Sequence, residues 1–580
     1  MSNWEAIFQK WDSFEGLDKD LKTELHTIKD NKHALEDAFY KELTFGTGGM
    51  RGVLGAGVNR MNIYTVRKAV NGLANYLLAN QVNVRDRGVV IAYDSRNMSK
   101  EFAVESAKVL GSYGIKTHIF ESLRPTPLLS FAVRYLRTVA GIMITASHNP
   151  PEYNGFKVYN ETGAQIVPEE ANLIIESIQN TKDELTVPFL EKEELEEKGL
   201  LNWLGYEIDN AYLERLYHMT KMSEDVHQKE KNLQIVFTPL HGTAYNLVTK
   251  GLEQLNFPKV AIVKEQAEPD AMFSTVASPN PEEHQAFSLA IELGKETDAD
   301  ILLGTDPDAD RLGVAVKNSA GEYQVLTGNQ LGALLLDYIL SHTNPQVYQN
   351  PRMIKTVVST ELGRAIAESY DVKTLDTLTG FKFIGEKINQ FDATGETFIF
   401  GFEESYGYLI SSFARDKDAV QAAMMATEMA YYWKEQGKTL FEALDVLFER
   451  HGYFLEGMSS LTLKGKEGSE QIANIMDAIR SNPLKEIAGI KVEQVENYLT
   501  SERMLMAEAR KETIDLPQEN MMKFILEQNA WVCLRPSGTE PKIKCYYGVC
   551  GKDKEDSEAK LTSLKETMDQ IISDILEGNE

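Results

Sequence analysis

Ser147 is the first residue whose type and place could do chemistry. With His148 it follows an apolar run, residues 141–146 (GIMITA), and it precedes Asn149 and two prolines. A serine at the exit of a buried strand can act as a nucleophile or carry a covalent group, if a neighbouring base or cation activates it. Local hydrogen bonding in an Asn-Pro turn is the alternative, and no Gly-x-Ser-x-Gly elbow of a hydrolase surrounds the serine. Lys157, further along the chain, could return to the same cleft as a proton carrier or phosphate clamp, or could be a solvated turn lysine.

Three aspartates form a second candidate site, in the sequence GTDPDADR. Asp306, Asp308 and Asp310 alternate after an apolar run, so an extended loop would point all three side chains in one direction. Three neighbouring carboxylates repel one another and favour a bound hard cation, for which Mg²⁺ is a natural choice. The pattern excludes an EF-hand loop, because Arg311 and Lys317 stand where that loop needs Gly and Glu. A turn rich in Asp and Pro would explain the composition but not the strict alternation.

Two further loops carry residues that suit a phosphorylated sugar. FGFEESYGY ends another apolar strand, and its Glu403 and Ser405 could bind sugar hydroxyls, although an acidic helix N-terminus is the alternative. In LRPSGTEPKIK, a Ser-Gly-Thr loop between Arg535 and Lys544 offers backbone N–H groups and two hydroxyls. Such a loop can cradle a phosphate, and a surface turn is the alternative. The four loops together indicate phosphoryl transfer on a sugar phosphate.

The elements that must position these loops alternate between strand and helix. Buried strands are predicted from β-branched, apolar runs, and helices from the stretches between them. This rhythm predicts parallel sheets covered by helices on both faces, with the chemistry in loops beyond the carboxyl ends of the strands. The predicted strands are residues 88–96, 116–120, 140–145, 233–237, 260–263, 301–304, 353–358 and 397–400, and the predicted helices include residues 99–110 and 361–370.

Two stretches depart from this rhythm. Residues 191–198 are dense in charge, and a helical register continues from them through Tyr217, which predicts a solvated helical connector. After Arg450, residues 459–463 have the pattern of a strand, helices follow, and residues 530–547 alternate between apolar and polar. This change predicts an α+β C-terminal domain.

The bulk composition describes a globular chain with enough apolar sequence for several cores. The 580 residues are 43% hydrophobic and 25% charged, and the formal net charge is −27. An acidic chain lacks the basic face that nucleic acid binding needs, and the apolar runs are too short to span a bilayer. The first residues lack the apolar core of a secretory signal, and the three cysteines match no zinc pattern. We therefore expect a cytoplasmic protein that binds a small anionic molecule, with neither nucleic acid nor a membrane as partner.

The four loops, in this order, resemble the signature loops of the α-D-phosphohexomutase family, which includes phosphoglucomutases and phosphomannomutases. TASHNP resembles its phosphoserine loop, DPDADR its magnesium loop, GFEESYG its sugar-recognition loop and RPSGTEPKIK its phosphate-binding loop. FGTGGMRG, near the N-terminus, is similar to the family's entry motif. The length of the chain resembles the longer subgroup, which contains glucose phosphomutases, pentose phosphomutases and enzymes that make glucose 1,6-bisphosphate.

The resemblance implies a four-domain, heart-shaped α/β architecture, with three repeated α/β domains and a C-terminal α+β domain. On this basis we expect a first domain at residues 1–205 with the phosphoserine loop, and a second at residues 206–323 with the metal loop. A third domain at residues 324–450 would carry the sugar-recognition loop, and a fourth at residues 451–580 would carry the phosphate-binding loop.

The resemblance also implies a role for each candidate residue. Lys157 would transfer protons, with His148 and Arg51 beside the transferred phosphoryl group. The groups expected to hold Mg²⁺ are phosphorylated Ser147, Asp306, Asp308 and Asp310. The residues expected to bind the sugar are Thr379, Gly380, Glu403, Ser405, Arg311 and Lys417. The residues expected to grip the non-reacting phosphate are Arg535, Ser537, Gly538, Thr539 and Lys544.

The implied activity is that of a phosphomutase, an enzyme of the isomerase class, acting on a phosphosugar. It would interconvert α-D-glucose 1-phosphate and glucose 6-phosphate, with glucose 1,6-bisphosphate as intermediate and activator. Phe402 stands where hexose-specific members usually have Gly, so it could filter the sugar, and pentose and mannose phosphates are alternative substrates. A sugar phosphatase with Asp306 as nucleophile is an alternative of another class, although Asp310 stands where such phosphatases have Thr or Val. A phosphosugar-binding regulator without turnover is a third alternative.

Overall fold

The computed structural model describes residues 3–46, 48–344, 347–463, 465–537 and 541–578. The chain divides into two compact units. The first comprises Met1–Gly328, Phe381–Gly401 and Ser405–Thr439, and the second comprises Asn329–Gly380, Phe402–Glu404 and Leu440–Glu580. Each unit is therefore assembled from segments that are distant in sequence.

Helices and strands follow one another along the whole chain. The helices are α1 (Asn3–Asp12), α2 (Lys19–Ile28), α3 (Lys32–Phe39), α4 (Ile63–Asn80), α5 (Val84–Arg87), α6 (Ser99–Ser112), α7 (Thr126–Leu136), α8 (Pro168–Gln179), α9 (Lys192–Glu197), α10 (Tyr206–Met219), α11 (Glu224–His227), α12 (Tyr245–Gln254), α13 (Ser288–Thr297), α14 (Gly328–Ser341), α15 (Glu361–Ser369), α16 (Phe381–Thr394), α17 (Ala419–Glu435), α18 (Leu440–His451), α19 (Gly465–Ser481) and α20 (Lys554–Glu577). The strands are β1 (Phe45–Gly46), β2 (Gly49–Val53), β3 (Val89–Tyr93), β4 (Thr117–Phe120), β5 (Ala140–Ile144), β6 (Tyr153–Asn160), β7 (Leu201–Leu204), β8 (Ile235–Thr238), β9 (Val260–Ile262), β10 (Ile301–Thr305), β11 (Leu312–Lys317), β12 (Tyr323–Val325), β13 (Pro351–Thr356), β14 (Lys373–Thr377), β15 (Thr397–Glu403), β16 (Gly407–Leu409), β17 (Tyr453–Thr462), β18 (Glu486–Ile487), β19 (Ile490–Asn497), β20 (Glu502–Leu505), β21 (Arg510–Thr513), β22 (Met522–Leu526), β23 (Ala530–Pro536) and β24 (Lys542–Gly551). Among the helices that the structure describes, none combines the length and the apolarity needed to span a membrane.

A seven-stranded sheet in the first unit has the order β1-β2-β6-β5-β3-β4-β7. Strands β3, β4, β5 and β7 are parallel, as the sequence predicts, and every residue of β3 and β5 is buried. Strands β2 and β6 are antiparallel to their neighbours, so the sheet is mixed and the prediction of a purely parallel sheet is wrong. The reason is the short connection between β5 and β6, residues 145–152, because a parallel crossover needs about a dozen residues or more.

The second sheet of the first unit has the order β12-β11-β10-β8-β9. Strands β8, β9 and β10 are parallel, whereas β11 is antiparallel to both of its neighbours. The connection between β10 and β11, residues 306–311, is again too short for a crossover. The loops that carry Ser147 and the three aspartates therefore both join antiparallel neighbours, and neither leads from a strand into a helix.

The predicted helical connector that begins at residue 191 is interrupted by strand β7. This strand lies between α9 and α10 and pairs in parallel with β4 at the edge of the sheet. Its two leucines, Leu201 and Leu204, are buried, and the two residues between them are exposed. Pairing with the sheet edge therefore overrides the local helical preference, which is only a weak prior.

In the second unit, strands β13 and β14 are parallel, and the C-terminal sheet is antiparallel throughout. The order of this sheet is β17-β24-β23-β22-β19-β20-β21, with β18 paired to β19. Helices α19 and α20 contribute Ile475, Leu564 and Met568 to a core shared with Phe524 and Tyr547 of the strands. The alternation seen in residues 530–547 comprises two antiparallel strands, β23 and β24, so the predicted change to an α+β fold is confirmed.

The N-terminal helices pack onto α4 through an aromatic cluster. The ring of Trp11 is fully buried and meets Phe39 and Tyr64 edge to face, at centroid distances of 5.8 and 5.3 Å. Its indole N–H donates to Glu184 Oε1 at 2.8 Å, so the polar edge of the ring is satisfied. Aromatic pairs in this geometry stabilise a core beyond the area that they bury. One side chain therefore links α1, α3, α4 and the segment at Glu184.

We expect Trp11→Ala to lower the free energy of unfolding of the first unit by about 3–5 kcal/mol, the usual cost of deleting a large buried aromatic ring. Urea unfolding followed by circular dichroism measures the change. Trp203→Ala is the matched control, because the Trp203 side chain is 36% exposed, and it should cost less than about 1 kcal/mol. Equal losses in the two variants would contradict the role of the cluster.

Candidate active site

The loop between β5 and β6 holds Ser147 in a left-handed backbone conformation, at φ +51°. Its N–H donates to Thr145 Oγ1 at 2.8 Å, and its hydroxyl donates to Asp306 Oδ2 at 2.6 Å. His148 Nδ1 is 3.2 Å from the same hydroxyl oxygen. A residue other than glycine in this region costs free energy and persists only where its surroundings hold it, as at many functional sites. The Ser147 hydroxyl therefore lies between a carboxylate and an imidazole.

A buried arginine holds this loop from behind. Arg96 is 3% exposed and donates to the main-chain oxygens of Ser147, Asn149, Pro150 and Tyr153, at distances between 2.5 and 3.0 Å. Hydrogen bonds from a charged donor are stronger than those between neutral groups. Because all four acceptors belong to the backbone, the guanidinium fixes the path of the loop whatever side chains the loop carries.

The aspartates lie in a compact turn, so the extended loop predicted from their alternation is wrong. Ala309 has φ +53°, and the N–H groups of Asp310 and Arg311 both donate to Asp306 Oδ1, at 3.1 and 3.0 Å. A carboxylate that accepts from nearby backbone groups in this way stabilises a turn. One carboxylate therefore shapes the loop, while the turn still gathers all three side chains.

A second loop of the first unit packs tightly against this turn. A Cβ atom at Gly242 would lie 2.5 Å from Pro307 Cα, so only glycine permits the approach. The N–H and the hydroxyl of Thr243 both donate to Pro307 O, at 2.9 and 3.0 Å. The turn that carries the aspartates is therefore fixed from outside as well as from within.

The aspartate cluster fits a divalent cation. Asp306, Asp308 and Asp310 are buried, and one carboxylate oxygen of each lies within 4.8 Å of the others. Asp308 Oδ1 and Asp310 Oδ1 are buried without a hydrogen-bond partner in the described part of the chain. Such oxygens are costly to bury unless a donor or a cation satisfies them. Three hard oxygen ligands at this spacing are of the kind that Mg²⁺ prefers.

The three carboxylates differ in pKa because burial, their mutual repulsion and the nearby lysines act on each of them to a different extent. Burial, together with Asp308 and Asp310, raises the pKa of Asp306 well above its ordinary value. Burial also acts to raise the pKa of Asp308, but the charge of Lys157 outweighs it and the pKa falls. For Asp310, burial and Asp308 are outweighed by Lys417 and Lys157, so its pKa falls as well. Asp308 and Asp310 are therefore ionised, while Asp306 is held closer to its neutral form.

Two lysines neutralise the ionised aspartates. Lys157 Nζ, on β6, is 2.8 Å from Asp308 Oδ2 and 3.3 Å from Asp310 Oδ2. Lys417 Nζ is 3.0 Å from Asp310 Oδ2 and 3.6 Å from Asp416 Oδ1. Burial would lower the pKa of Lys157, but Asp308 and Asp310 hold it above its ordinary value, so the ammonium group stays charged.

Two arginines and His148 complete the group of predicted site residues in the first unit. Arg51, on β2, donates from Nη1 to Asn149 Oδ1 at 2.7 Å, and Arg311 pairs with Glu282. Burial, with the charges of Arg311 and Arg51, lowers the pKa of His148 to about 3. The imidazole is therefore neutral near pH 7 and can accept a hydrogen bond.

The predicted sugar loop lies partly in the first unit. Ser405 begins a turn in which Tyr406 has φ +63°. Tyr406 O accepts from the N–H of Leu312 at 3.1 Å, and Gly407 forms a β-bridge with Arg311. The chain that follows Ser405 is therefore bonded to the chain that follows the three aspartates.

Three of the predicted sugar contacts, Thr379, Gly380 and Glu403, lie in the second unit. Glu403 is the last residue of β15 and is 6% exposed. Thr379 Oγ1 is buried and makes no hydrogen bond to any described residue. Gly380 has φ +107°, a conformation that residues with a side chain rarely adopt. A buried hydroxyl without a partner is a feature that a ligand hydroxyl could satisfy.

Phe402 is a core residue of the second unit. Its ring is fully buried, and Cβ atoms at Gly332 and Gly363 would approach it to 2.5 and 3.1 Å. Glycines at these two positions therefore make room for the ring inside the fold. The interpretation of Phe402 as a filter that contacts the sugar is wrong, because its side chain has no exposed surface.

The predicted phosphate loop follows β23 in the second unit. Arg535 and Lys544 are partners in the register of β23 and β24, so both cations lie on one face of the hairpin. Arg535 Nε donates to Glu519 Oε1 at 2.5 Å, and the N–H of Ser537 donates to a main-chain oxygen of β24. Gly538 and Thr539 lie outside the described residues.

Sequence reasoning missed three residues that support the first-unit site, namely Arg96, Thr126 and Tyr159. Thr126 donates its hydroxyl to Asp308 Oδ2 at 2.8 Å, and Tyr159 donates its hydroxyl to Asp416 Oδ2 at 2.7 Å. A charged residue directly after a buried strand, as in the Asp-Ser-Arg that follows β3, could have drawn attention to Arg96. Thr126 and Tyr159 carry no comparable signal, because both side chains act across distant parts of the chain.

Models of the four successive domains of one protein family match four successive parts of the chain. They are described as phosphoglucomutase/phosphomannomutase alpha/beta/alpha domain I at residues 42–185, domain II at residues 210–321, domain III at residues 327–451 and the C-terminal domain at residues 476–562. Together the four matches cover most of the chain.

Curated relatives match over nearly their whole length. A phosphoglucomutase of Staphylococcus aureus (strain MRSA252) is 40% identical over 529 residues, which are 91% of this chain and 93% of the relative. A phosphoglucomutase of Staphylococcus haemolyticus (strain JCSC1435) is 40% identical over 514 residues, 89% of this chain and 91% of the relative.

Solved structures share the fold at lower identity. A putative phosphomannomutase from Thermus thermophilus superposes with a TM-score of 0.68 at 23% identity, covering 92% of this chain and 99% of that one. The phosphoglucomutase parafusin from Paramecium, in its open form, gives a TM-score of 0.68 at 17% identity, covering 93% and 96%. These likenesses show that the four-domain α/β architecture is shared.

We expect Arg96→Met to loosen the Ser147 loop while the sheet beneath it stays intact. The variant removes the charged donors of four main-chain acceptors, so amide hydrogen exchange in residues 147–153 should accelerate by about tenfold or more. Exchange in β4 and β7, which adjoin neither Arg96 nor its buried ion-pair partner Asp94, should not change. Arg87→Met, which removes a partly exposed arginine of the same unit, is the matched control. If amide exchange in residues 147–153 were the same in Arg96→Met as in the wild type, Arg96 would not be what holds the loop in place.

Proposed function

Because the chain belongs to the phosphoglucomutase/phosphomannomutase family, we propose that it is a phosphoglucomutase, which interconverts α-D-glucose 1-phosphate and glucose 6-phosphate. The observation that carries the proposal is the place of Ser147. Its hydroxyl oxygen is 2.6 Å from Asp306 Oδ2, beside a buried cluster of three aspartates and two lysines. A phosphoryl group carried by Ser147 would lie next to groups that can neutralise it.

Charge neutralisation is the main demand of the reaction. A phosphoserine carries up to about two negative charges, and a phosphosugar brings about as many, so the two groups repel on approach. Asp306, Asp308 and Asp310, with an oxygen of the phosphoserine, would hold Mg²⁺, which when bound would neutralise developing charge on the phosphoryl oxygens. Lys157 and Lys417 would add two fixed positive charges in the same place.

Three residues around Ser147 would each have a separate role in the transfer. Lys157, charged and within 2.8 Å of Asp308, would clamp the phosphoryl oxygens and exchange a proton with the sugar hydroxyl. His148, neutral near pH 7, would accept a hydrogen bond beside the nucleophile. Arg51 binds the side chain of Asn149 and would keep its charge next to the transferred group.

A mutase must bind its intermediate in two orientations. The serine gives its phosphoryl group to one end of the sugar, glucose 1,6-bisphosphate turns over, and the serine takes back the group at the other end. Contacts with the ring hydroxyls of the sugar would set specificity. The residues proposed to make them are Thr379, Gly380, Glu403 and Ser405, with the cations Arg311 and Lys417 beside them. The idle phosphate would be held in either orientation by Arg535, Ser537, Gly538, Thr539 and Lys544.

The hydrogen bonds of Asp306 argue against the rival function of a phosphatase. Its Oδ1 accepts from two backbone N–H groups, and its Oδ2 accepts from the Ser147 hydroxyl. Oδ1 is thus held by the backbone, and Oδ2, the oxygen left to act, faces the Ser147 hydroxyl, which makes the serine the better placed phosphoryl acceptor. Two relatives that are 40% identical to this chain are named phosphoglucomutases, which supports glucose phosphate over mannose and pentose phosphates as the substrate proposed here.

We expect Ser147→Ala to abolish mutase turnover and leave the fold intact, because one loop hydroxyl contributes little to stability. The measurement is ³¹P NMR of the enzyme with Mg²⁺ and a trace of glucose 1,6-bisphosphate. Glucose 1-phosphate and ribose 1-phosphate are offered separately, and the wild type should convert the glucose ester faster. Ser112→Ala, which removes a half-buried hydroxyl elsewhere in the unit, is the matched control.

Four outcomes, of that experiment and of hydroxylamine treatment of the phosphoenzyme, would contradict the proposal in different ways. If Ser147→Ala retained turnover, a phosphoserine at residue 147 would not be part of the mechanism. Free inorganic phosphate from both esters would indicate a phosphatase, and a phosphoenzyme cleaved by hydroxylamine would place the group on a carboxylate. Faster conversion of the pentose ester would keep the mechanism and change the substrate.

We expect Asp308→Asn to weaken Mg²⁺ binding by about tenfold or more, because the site loses a charged oxygen ligand. Calorimetric titration with Mg²⁺ measures the affinity without any need for turnover, and the mutase assay should fall in parallel. Asp298→Asn is the matched control, since the Asp298 side chain is 91% exposed. If Asp308→Asn left the Mg²⁺ affinity unchanged, or if the wild type turned over in the presence of a chelator, the aspartates would not be a catalytic Mg²⁺ site.

A further inference from the structure

A second pocket opens in the first unit, away from the loops described above. It lies between α7, α10 and residues 411–413, and its volume is about 490 Å³. Pockets that hold small ligands usually range from about 300 to 1,000 Å³. The pocket is therefore large enough for a ligand the size of a nucleotide.

Positive groups line this pocket in a chain whose formal net charge is −27. Arg134, Arg215 and His218 all contribute to its wall, and none of the described residues that line it is a carboxylate. Arg134 is fixed by a hydrogen bond from Nη1 to Thr162 O at 2.9 Å. Arg215 and His218 are exposed and form no ion pair with any described residue. Two arginines in a pocket wall without a carboxylate among its described residues favour an anionic ligand on an acidic protein, and His218 adds a ring nitrogen that can hydrogen-bond to it.

Aromatic rings form another part of the wall. Phe131 and Tyr135 are stacked, with centroids 5.5 Å apart and ring planes inclined by 29°. Phe413 meets Phe131 edge to face at 6.0 Å. Tyr135 is 56% exposed, so one face of its ring is open to a flat partner. Stacking of a base on such a ring is worth roughly 1–3 kcal/mol in other proteins.

We propose that this pocket binds a nucleoside monophosphate, with the phosphate against Arg215 and His218 and the base stacked on Tyr135. The proposal goes beyond the mutase reaction and does not depend on it. Ser411 and Ser412 add hydroxyls at the third side of the pocket, where a ribose can donate and accept hydrogen bonds. A sugar phosphate has no flat ring, and inorganic phosphate would leave the aromatic wall unused.

The test is calorimetric titration of the full chain with AMP, carried out with excess glucose 6-phosphate so that the catalytic loops are occupied. Arg215→Gln should weaken AMP binding by about tenfold or more, the usual cost of losing a hydrogen bond to a charged group. Lys438→Gln is the matched control, because it removes one exposed positive charge outside the pocket. It should leave AMP affinity unchanged.

A second variant separates the base from the phosphate. Tyr135→Ser should weaken AMP binding by about fivefold or more and leave the affinity for inorganic phosphate unchanged. Equal binding of inorganic phosphate and AMP would overturn the nucleotide as ligand. AMP binding that is absent, or that Arg215→Gln leaves intact, would overturn the pocket as the site. None of these measurements uses mutase turnover, so their outcome is independent of whether the proposed function is correct.

Discussion

Three buried carboxylates within 4.8 Å of one another are the constraint on which the first unit depends. Like charges at this distance repel strongly in a buried site, so the fold must supply compensation or the turn would open. It does so from four separate places in the chain: the ammonium groups of Lys157 and Lys417 and the hydroxyls of Ser147 and Thr126. The cluster is therefore complete only when these distant segments have folded together.

Ser147 and the three aspartates, for which we propose the central roles, were visible in the sequence because they follow apolar strands. Ser147 follows β5 of the seven-stranded sheet and the aspartates follow β10 of the five-stranded sheet, and the carboxyl ends of strands are where open α/β sheets place their binding sites. The direction of the chain beyond them was not visible. Whether a strand returns antiparallel depends on the length of the connection, which is why the mixed sheets were missed. Similarly, a period-two pattern predicted an extended loop, whereas Asp306 bends its own loop into a turn.

Side chains that act on the backbone or inside the core left weaker signals. Arg96 binds four main-chain oxygens, and no pattern of residue types reveals that arrangement. Phe402 stands in a loop motif yet packs against Gly332 and Gly363, so its place in the motif misled the interpretation. The roles expected of Thr379 and Gly380 come from the family resemblance alone, whereas those of Glu403, Arg535 and Lys544 were also suggested by residue type, and all of them stay predictions. The domain limits at residues 205, 323 and 450 stay predictions.

The Arg96 clamp separates the shape of the nucleophile loop from its composition. Within this loop the guanidinium binds only carbonyl oxygens, and outside the loop it pairs with buried Asp94, so a residue that tolerates the local backbone could replace His148 or Asn149 without removing these contacts. The side chains of such a loop can be exchanged, in evolution or by mutagenesis, while its backbone conformation is retained. The residue that limits this freedom is Ser147, because its left-handed backbone narrows the choice of substitutes.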